Sequence, residues 1–450
     1  MQGIDPNRIQ AIYETEEKLY RKQNPRSLEL YNSSLRSLPN GVPNYWIKYF
    51  PQPYPLFLKE AHGAYVTDVD ENRRIDVCLG GTACLFGYGN PHLVEAVSYQ
   101  MAHGSSPLWA TEDGYYVGLG MKRTFGLPFW QIYVSATEAN RNAIRLSRML
   151  TNRDKILIFN GGYLGAVEDT FAALAGGNTI LEQGVHPNAG DITRTTRVVE
   201  FNDIDAIKKA LADGQVACVL GEPAISNGGI VLPKPGFHEA LREETRKTGT
   251  LLVIDETQSI DVGFGGFSRK ANLQPDMMTM GKPMAGGIPV GLLGMTQSVS
   301  ERVANQILAP SSRVNPGMGS TLAGSAIQLK AIRATLEHVM TEKNYETMLL
   351  RADAVQAGME QTLKKHGLSW TVTRLGARVE LCGLSRPPAN VTEAKSAQDP
   401  AFDACLNLYA VNRGVFLTPF GNTIVTCPPL SNEDVDLFNR VFTEFIHEVA

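Results

Sequence analysis

The chain has 450 residues, of which 43% are hydrophobic and 20% are charged, and its formal net charge is −4. This length suits a large domain with a smaller one, and the composition is that of a globular protein. A weakly acidic chain offers no basic field to a nucleic-acid backbone, so we expect no nucleic-acid partner. We also expect no membrane partner, because no apolar run reaches the length of a membrane span.

The cysteines and histidines show no metal-binding spacing. The six cysteines are scattered without a CxxC pair, and the eight histidines form neither HxxxH nor HxH. This pattern favours free thiols in a reducing compartment over a disulfide framework or a zinc site. The first residues are charged and polar, unlike the apolar core of a secretory signal. We therefore predict a cytoplasmic protein without a metal.

The middle of the chain alternates short apolar runs with helical patterns. The apolar runs are QIYV (131–134), KILIF (155–159), VACVL (216–220) and TLLVIDE (250–256). A helical pattern follows the first run, and another, over 237–248, precedes the last. Continuous apolar strands joined by helices predict a parallel sheet covered on both faces, which is an α/β fold.

A polar or aromatic side chain stands at or just past the end of each predicted strand. These residues are Ser135, Tyr163, Glu222 and Asp255. Ligands of α/β sheets gather beyond the carboxyl ends of the strands. We therefore predict that the four side chains lie along one edge of one sheet.

The last third of the chain has a different character. Residues 322–366 have a largely helical pattern, 386–401 form a polar, Pro/Ala-rich stretch predicted to be a loop, and an apolar stripe marks the final helix. We predict a large domain over 71–329 and a smaller α+β domain over 330–450. Residues 1–70 are predicted to pack on the small domain or on a partner.

Lys282 stands in the glycine-rich stretch MGKPMAGGIPVG (280–291), which is almost free of charge. A lysine that forms an imine must reach its substrate and be activated by its surroundings, and glycines permit close backbone approach. An ordinary loop lysine is the alternative. Asp255 matches this chemistry, because pyridoxal phosphate is an electron sink only while its ring nitrogen is protonated, and a buried carboxylate keeps it so.

The segment SATEA (135–139) predicts the start of a helix. Ser135 and Glu138 have the spacing of a capping box, and this role alone explains both residues. A helix N-terminus with small hydroxyl residues also binds phosphate dianions. Both interpretations remain open from the pattern itself.

Ordered motifs from about residue 37 to the C-terminus resemble the class III pyridoxal-phosphate-dependent aminotransferases, most closely the glutamate-1-semialdehyde aminomutase branch. The segments that carry this resemblance are GYGNP (87–91), SATEA (135–139), FNGGYLG (159–165), EPAISNGGIVLPKPGF (222–237), DETQSIDVGF (255–264), PDMMTMGKPMAGGIPVG (275–291) and GSTLAGSA (319–326). The resemblance implies the type I fold, with a mostly parallel seven-stranded sheet between helices in the large domain, and a homodimer with residues 1–70 at its interface.

The resemblance also implies roles for individual residues. Lys282 matches the Schiff-base lysine and Asp255 the partner of the ring nitrogen. The other implied cofactor contacts are Ser135, Ala136 and Thr137 at the phosphate, Tyr163 and Thr257 on the two ring faces, Gln258 near the ring hydroxyl, Glu222 at its strand end, and Thr321 contributed to the neighbouring subunit's site.

Some positions depart from the family pattern. Leu164 replaces a histidine, Thr257 replaces a valine, and Lys48 stands where the mutase branch has an arginine. Because Lys is a poorer bidentate clamp than Arg, the mutase reaction is disfavoured, and the aromatic-rich segment 44–57 suggests a hydrophobic or aromatic amino acid. Lys48 and Arg378, with Arg413 ranked below them, are the predicted anchors of the substrate carboxylate.

We therefore predict an aminotransferase that moves an amino group from a hydrophobic or aromatic amino acid to an oxo acid such as 2-oxoglutarate or pyruvate. In this reaction Lys282 carries the proton between the donor carbon and the cofactor. An aminomutase, a racemase or a decarboxylase on the same fold remains an alternative. A catalytically silent binding protein is disfavoured by the presence of both Lys282 and Asp255.

Overall fold

The computed structural model describes residues 3–185, 191–309 and 317–450. The chain forms two compact units. We call Pro91–Glu342 with Ala389–Glu393 the central unit, and Met1–Asn90, Lys343–Pro388 and Ala394–Ala450 the terminal unit. The chain thus passes between units after Asn90, Glu342, Pro388 and Glu393, whereas the domain boundaries after residues 70 and 329 stay predictions.

The α-helices of the described residues are α1 (Pro6–Gln23), α2 (Pro25–Ser34), α3 (Pro91–Ala102), α4 (Glu112–Phe125), α5 (Ala136–Thr151), α6 (Ile204–Leu211), α7 (Phe237–Thr248), α8 (Gly266–Lys270), α9 (Gln297–Arg302), α10 (Ala326–Ala334), α11 (Glu342–Lys365), α12 (Val391–Ser396), α13 (Pro400–Asn412) and α14 (Asn432–Val449).

The strands of the same residues are β1 (Leu58–His62), β2 (Tyr65–Asp68), β3 (Arg73–Asp76), β4 (Phe129–Tyr133), β5 (Lys155–Phe159), β6 (Ala172–Ala175), β7 (Asn178–Leu181), β8 (Thr196–Val199), β9 (Val216–Gly221), β10 (Leu251–Asp255), β11 (Met277–Gly281), β12 (Gly291–Met295), β13 (Thr371–Leu375), β14 (Arg378–Cys382), β15 (Val415–Phe416) and β16 (Ile424–Val425).

A seven-stranded sheet forms the middle of the central unit, in the order β4-β12-β11-β10-β9-β5-β8. Only β12 runs antiparallel to its neighbours β4 and β11. Every residue of β9, β10, β11 and β12 is buried, as expected for strands that helices cover on both faces. The predicted α/β class, with a mostly parallel seven-stranded sheet among helices, is confirmed.

The predicted strands and helices of this unit lie close to the observed ones. The run KILIF coincides with β5, and the helix predicted over 237–248 coincides with α7. The stretch 386–401 differs, because it contains α12 and the first residues of α13 rather than a continuous loop. The Asp399 carboxylate accepts from the first backbone N–H groups of α13, so local capping outweighs the polar composition there.

The terminal unit combines two small sheets with long helices. Its sheets have the orders β1-β2-β3-β15 and β13-β14-β16. Ser431 caps α14, and the predicted apolar stripe of this helix is buried along its length, at Val435, Phe438, Phe442, Phe445 and Val449. The Arg74 guanidinium and the Asp68 carboxylate form a buried ion pair between β3 and β2.

Candidate active site

Asp255 is the last residue of β10, and its side chain is only 3% exposed. Its Oδ1 accepts from the backbone N–H of Thr257 at 2.8 Å, and its Oδ2 accepts from Asn140 Nδ2 at 2.6 Å. Burial raises the pKa of this carboxyl, while these hydrogen bonds and the Lys282 ammonium oppose the rise. The structure therefore fixes a desolvated carboxylate at the end of a rigid central strand.

Lys282 follows β11 directly and is half-buried. It has φ 48°, in the left-handed region, which is uncommon for a residue with a Cβ. Burial, with a contribution from the Asp255 charge, raises the pKa of Glu222, and the Lys282 ammonium opposes this rise. Lys282, Asp255 and Glu222 therefore share one electrostatic environment, which is the edge predicted from the strand ends.

The N-terminus of α5 lies against two glycines of adjacent strands. Gly281 and Gly291 face each other across β11 and β12. A Cβ on Gly281 would lie 3.1 Å from Ala136 Cβ, and one on Gly291 would lie 2.0 Å from Ser135 O. Only glycine permits this approach, which brings the start of α5 beside the residue that precedes Lys282.

Ser135 caps α5 as predicted, since its Oγ accepts from the N–H of Glu138 at 3.1 Å. The second half of the predicted capping box differs. The Glu138 carboxylate accepts from the N–H of Val134, one residue earlier than the cap itself. This contact joins the helix start to the residue that follows β4, and it leaves both the capping and the phosphate-binding interpretations of the Ser135 turn open.

Glu222 follows β9 and is buried. Its Oε1 accepts from the backbone N–H of Tyr163 at 3.2 Å, and its Oε2 accepts from the Ser226 hydroxyl. Burial raises the pKa of Glu222 to about 7. Tyr163 is 38% exposed. The Glu222 carboxyl group therefore holds the backbone of a residue whose ring is accessible to a ligand.

The remaining predicted cofactor residues of the central unit lie at three places. Thr257 and Gln258 are buried directly after Asp255. Thr137 Oγ1 accepts from the N–H of Ala166, in the loop that carries Tyr163. Thr321 is exposed in the segment before α10. Thr257 and Gln258 therefore adjoin Asp255, and Thr137 contacts the loop of Tyr163, whereas Thr321 lies in a separate segment.

Comparison with known proteins identifies the family. The sequence profile of Aminotransferase class-III matches residues 49–448. The chain belongs to the class III aminotransferases. Pyridoxal phosphate is the cofactor of this family of enzymes.

Individual relatives support the same assignment. A glutamate-1-semialdehyde 2,1-aminomutase of Syntrophomonas wolfei subsp. wolfei is 33% identical over 79% of this chain and 82% of its own length. The crystal structure of a glutamate-1-semialdehyde-aminomutase from Pseudomonas aeruginosa PAO1 is 42% identical, covers 100% of both chains and has a TM-score of 0.97. A β-phenylalanine aminotransferase from Variovorax paradoxus, 23% identical with a TM-score of 0.86 over 98% of this chain and 97% of its own, shares the fold.

The residues present in this class III enzyme fit the cofactor. A buried carboxylate suits a protonated ring nitrogen, and a half-buried lysine suits covalent attachment. Ser135 and Thr137 supply hydroxyls at the N-terminus of a 16-residue helix, which suits a phosphate. Among the described residues no group of three His, Cys, Asp or Glu side chains could hold a metal ion.

The predicted carboxylate anchors all belong to the terminal unit of the enzyme and differ in their surroundings. Lys48 is exposed, and its Nζ lies 3.1 Å from the Tyr31 hydroxyl. Arg378 is buried at the start of β14. The guanidinium of Arg413 pairs with both carboxylate oxygens of Glu16 at 2.9 Å. This pairing indicates a structural role for Arg413.

Sequence reasoning missed Asn140 and left Glu256 without a role. Asn140 is fully buried on α5 and contacts Asp255, which only the folded chain reveals. Its one sequence signal is a polar residue beside the apolar face of that helix. The Glu256 carboxylate accepts from the Ser259 hydroxyl and from the N–H groups of Phe267 and Ser268, so it ties the segment after β10 to α8.

Proposed function

We propose that this enzyme is an aminomutase that moves an amino group between adjacent carbons of one molecule, with glutamate 1-semialdehyde as the substrate. The observation that carries the proposal is the 42% identity, over the whole of both chains, with a protein described as a glutamate-1-semialdehyde-aminomutase. This order reverses the one favoured by the sequence, where the aminotransferase came first. Both reactions use the same group of residues.

The chain supplies proton handling and orientation. When bound, pyridoxal phosphate would supply the electron sink for proton removal beside the amine and would carry the amine between the two carbons. Lys282 would be the base that takes the proton and the acid that returns one, and its ammonium is close enough to Asp255 to lower the pKa of that carboxyl. Asp255 would hold the protonated ring nitrogen. Tyr163, whose backbone N–H donates to Glu222, would hold one face of the ring.

A second candidate is transamination of a hydrophobic or aromatic amino acid. Leu164, in place of the histidine expected by resemblance, is buried beside Tyr163. The terminal unit has its own cluster of aromatic rings around Tyr49, whose centroid lies 5.1 Å from that of Trp46 and 5.6 Å from that of Phe420. Each of these two apolar features, considered separately, suits an apolar side chain better than the small polar substrate of a mutase.

The deciding experiment supplies glutamate 1-semialdehyde labelled with ¹⁵N to the cofactor-loaded enzyme without any oxo acid. A mutase yields 5-amino-4-oxopentanoate over many turnovers, with no amine released to another molecule. An aminotransferase instead stops after one cofactor equivalent and needs both a hydrophobic amino donor and an oxo acid. Lys282→Ala abolishes either activity, and the exposed Lys270→Ala is the matched control.

We also propose that the enzyme works as a homodimer in which Thr321 completes the phosphate site of the neighbouring subunit. Large apolar side chains of the central unit are strongly exposed in the single chain, which favours an interface. They are Leu108 and Trp109 at 84% each, Tyr115 at 65%, Leu119 at 50% and Leu322 at 56%. Leu322 adjoins Thr321, so a strongly exposed apolar side chain stands next to the proposed shared residue.

Subunit complementation tests this arrangement. Lys282→Ala and Thr321→Asp each inactivate a homodimer, but a mixed dimer contains one site with neither change. We expect about a quarter of the wild-type activity on equal mixing after reversible dissociation, since half of the dimers are mixed. Sedimentation that shows only monomers, or mixtures without recovered activity, would overturn the shared site.

The prediction that no segment spans a membrane concerns the helices. Among the described residues, no helix combines the length and the apolar composition of a membrane span.

A further inference from the structure

Asn140 occupies a position in the central unit where three functional elements meet. It is fully buried on α5. Its Nδ2 group donates to Asp255 Oδ2 at 2.6 Å and to the carbonyl oxygen of Leu164 at 3.0 Å. Its Oδ1 accepts from the Thr279 hydroxyl at 2.6 Å. The amide thus links the end of β10, the Tyr163 loop and β11.

The orientation of this amide follows from its partners. Rotating it by 180° would place Oδ1 against Asp255 Oδ2 and the Leu164 carbonyl, which are both acceptors. It would also turn the NH2 group towards the Thr279 hydroxyl. The chain of donors therefore runs in one direction, from Thr279 through Asn140 to Asp255.

Asp255 and Thr279 are paired neighbours on parallel strands, and Thr279 precedes Lys282 by three residues. The hydrogen bond from Thr279 therefore connects the Asn140 amide to β11, the strand that Lys282 directly follows. Asn140 is in contact with one residue of each of the elements that carry Asp255, Tyr163 and Lys282.

We propose that Asn140 is a positioning residue that holds the Asp255 carboxylate in its hydrogen-bond-accepting, ionised form, with Thr279 fixing the direction of the amide. The inference rests on the proposed use of Asp255 as partner of the cofactor's ring nitrogen. Burial favours a neutral carboxyl group, and the Asn140 donor opposes this. A neutral Asp255 would cease to stabilise the protonated ring, so loss of Asn140 weakens the electron sink.

The other charged groups around Asp255 act in known directions. The Lys282 ammonium lowers the pKa of Asp255, whereas an ionised Glu222 repels the Asp255 charge. The Asn140 amide donates to Asp255 itself, and replacing it by leucine adds or removes no charge. A shift in the titration of Asp255 on replacing Asn140 therefore reports the loss of the amide donor.

The test replaces Asn140 by leucine, which has a similar size and no donor, and uses Asn142→Leu as the control. Asn142 is also buried on α5, but its Nδ2 donates to the Glu138 carbonyl of its own helix. Thr279→Val is a second variant that keeps the volume of the core, with Thr335→Val as its control, because the Thr335 hydroxyl donates to a carbonyl of its own helix. Thr279→Ser should restore the wild-type behaviour.

Two readouts are used. In cofactor-free protein labelled with ¹³C-aspartate, the Asp255 carboxyl signal, identified through Asp255→Asn, gives its pKa directly. We expect Asn140→Leu to raise that pKa by about one unit or more, and Thr279→Val to raise it less. In loaded enzyme we expect kcat to fall about tenfold, with a shifted pH profile of the visible absorption and a smaller change in KM.

The inference is overturned if Asp255 titrates alike in wild type, Asn140→Leu and Thr279→Val, or if Asn142→Leu shifts it equally. If Asn140→Leu does not fold, Thr279→Val alone decides by the same criterion. Failure of the proposed function has a different signature. In that case the wild-type protein forms no visible cofactor band, and Lys282→Ala behaves as wild type, whatever Asn140 does to the titration of Asp255.

Discussion

Thr137 and Gly165 lie in contact across the start of α5. A Cβ on Gly165 would lie 2.3 Å from Thr137 Oγ1, and the following N–H, that of Ala166, donates to that same oxygen at 3.2 Å. Gly165 has φ +82°, so its backbone conformation also favours glycine. The hydroxyl that we assign to the cofactor phosphate is therefore held by the loop that presents Tyr163.

Gly165→Ala should weaken cofactor binding, because the added methyl displaces Thr137 and the loop together. We expect the dissociation constant of pyridoxal phosphate to rise about tenfold or more, equivalent to about 1.4 kcal/mol. Gly214→Ala is the matched control, since Gly214 also has a positive φ but its Cβ would meet no atom within 4 Å. Equal cofactor affinity in the two variants would contradict the phosphate role of Thr137. Equilibrium dialysis provides the measurement.

Glu256→Gln should destabilise the protein more than it affects the cofactor. The glutamine keeps one acceptor oxygen but turns its NH2 group towards either the N–H of Phe267 or the buried N–H of Ser268, which donate to different oxygens of Glu256. Leaving a buried donor unsatisfied costs about 1–3 kcal/mol of unfolding free energy. Urea denaturation of the variant beside the exposed Glu346→Gln measures this loss. An unchanged midpoint with an altered cofactor spectrum would assign Glu256 to the chemistry instead.

Glu222 should make the cofactor-free protein less stable as the pH rises. Its pKa is about 7 in the folded state against 4.5 for the ordinary group, so the folded protein retains a proton that the unfolded chain has lost. The stabilisation is complete below pH 4.5 and disappears as the pH passes about 7. The loss amounts to at most about 3 kcal/mol, at about 1.4 kcal/mol per pKa unit.

Glu222→Gln should flatten this dependence. The wild-type decline in unfolding free energy between pH 4.5 and 7 should become smaller in the variant, since glutamine binds no proton. Asp255 and Glu256, whose pKa values burial also raises, contribute slopes of the same sign and remain in both proteins. Denaturation across this range, with Glu346→Gln as control, is the measurement. A parallel decline in Glu222→Gln would show that Glu222 is ionised throughout.

Arg413→Met should lower stability without changing substrate affinity. The Arg413 guanidinium pairs with Glu16, which is 4% exposed, and removing one partner leaves a buried carboxylate without its counter-ion. We expect a loss of about 3 kcal/mol in unfolding free energy and an unchanged KM. Thermal unfolding measures the predicted loss of stability, and steady-state kinetics measures KM. A KM increase of tenfold would return Arg413 to the set of substrate anchors.

Lys48→Met and Arg378→Met address the two anchors that remain predictions. Loss of a charge that holds a substrate carboxylate removes a charge-assisted hydrogen bond, worth about 1.5–3 kcal/mol, so KM should rise about tenfold or more. Lys18→Met, on the exposed face of α1, is the control for Lys48. If neither variant changes KM, the substrate carboxylate is held elsewhere. Steady-state kinetics with glutamate 1-semialdehyde, the proposed substrate, provides the comparison.

Local patterns in the sequence determined the sheet class, the β5 and α7 segments, the Ser135 cap and the motifs around Lys282 and Asp255. These features depend on residues close together in the chain, whose spacing sets strand, helix and cap chemistry. The family resemblance then predicted the cofactor, because the order of the motifs along the chain can be compared without knowledge of the fold.

Only the tertiary structure decided which polar groups share hydrogen bonds. Asn140 meets Asp255 across 115 residues and Thr279 across 139, so no local pattern could reveal either pair. The pairing of Arg413 with Glu16 spans 397 residues, and it alone separates this arginine from an exposed substrate anchor. Burial then sets the energetic consequence, because desolvated charges depend on partners that the fold, rather than the neighbouring sequence, brings into contact.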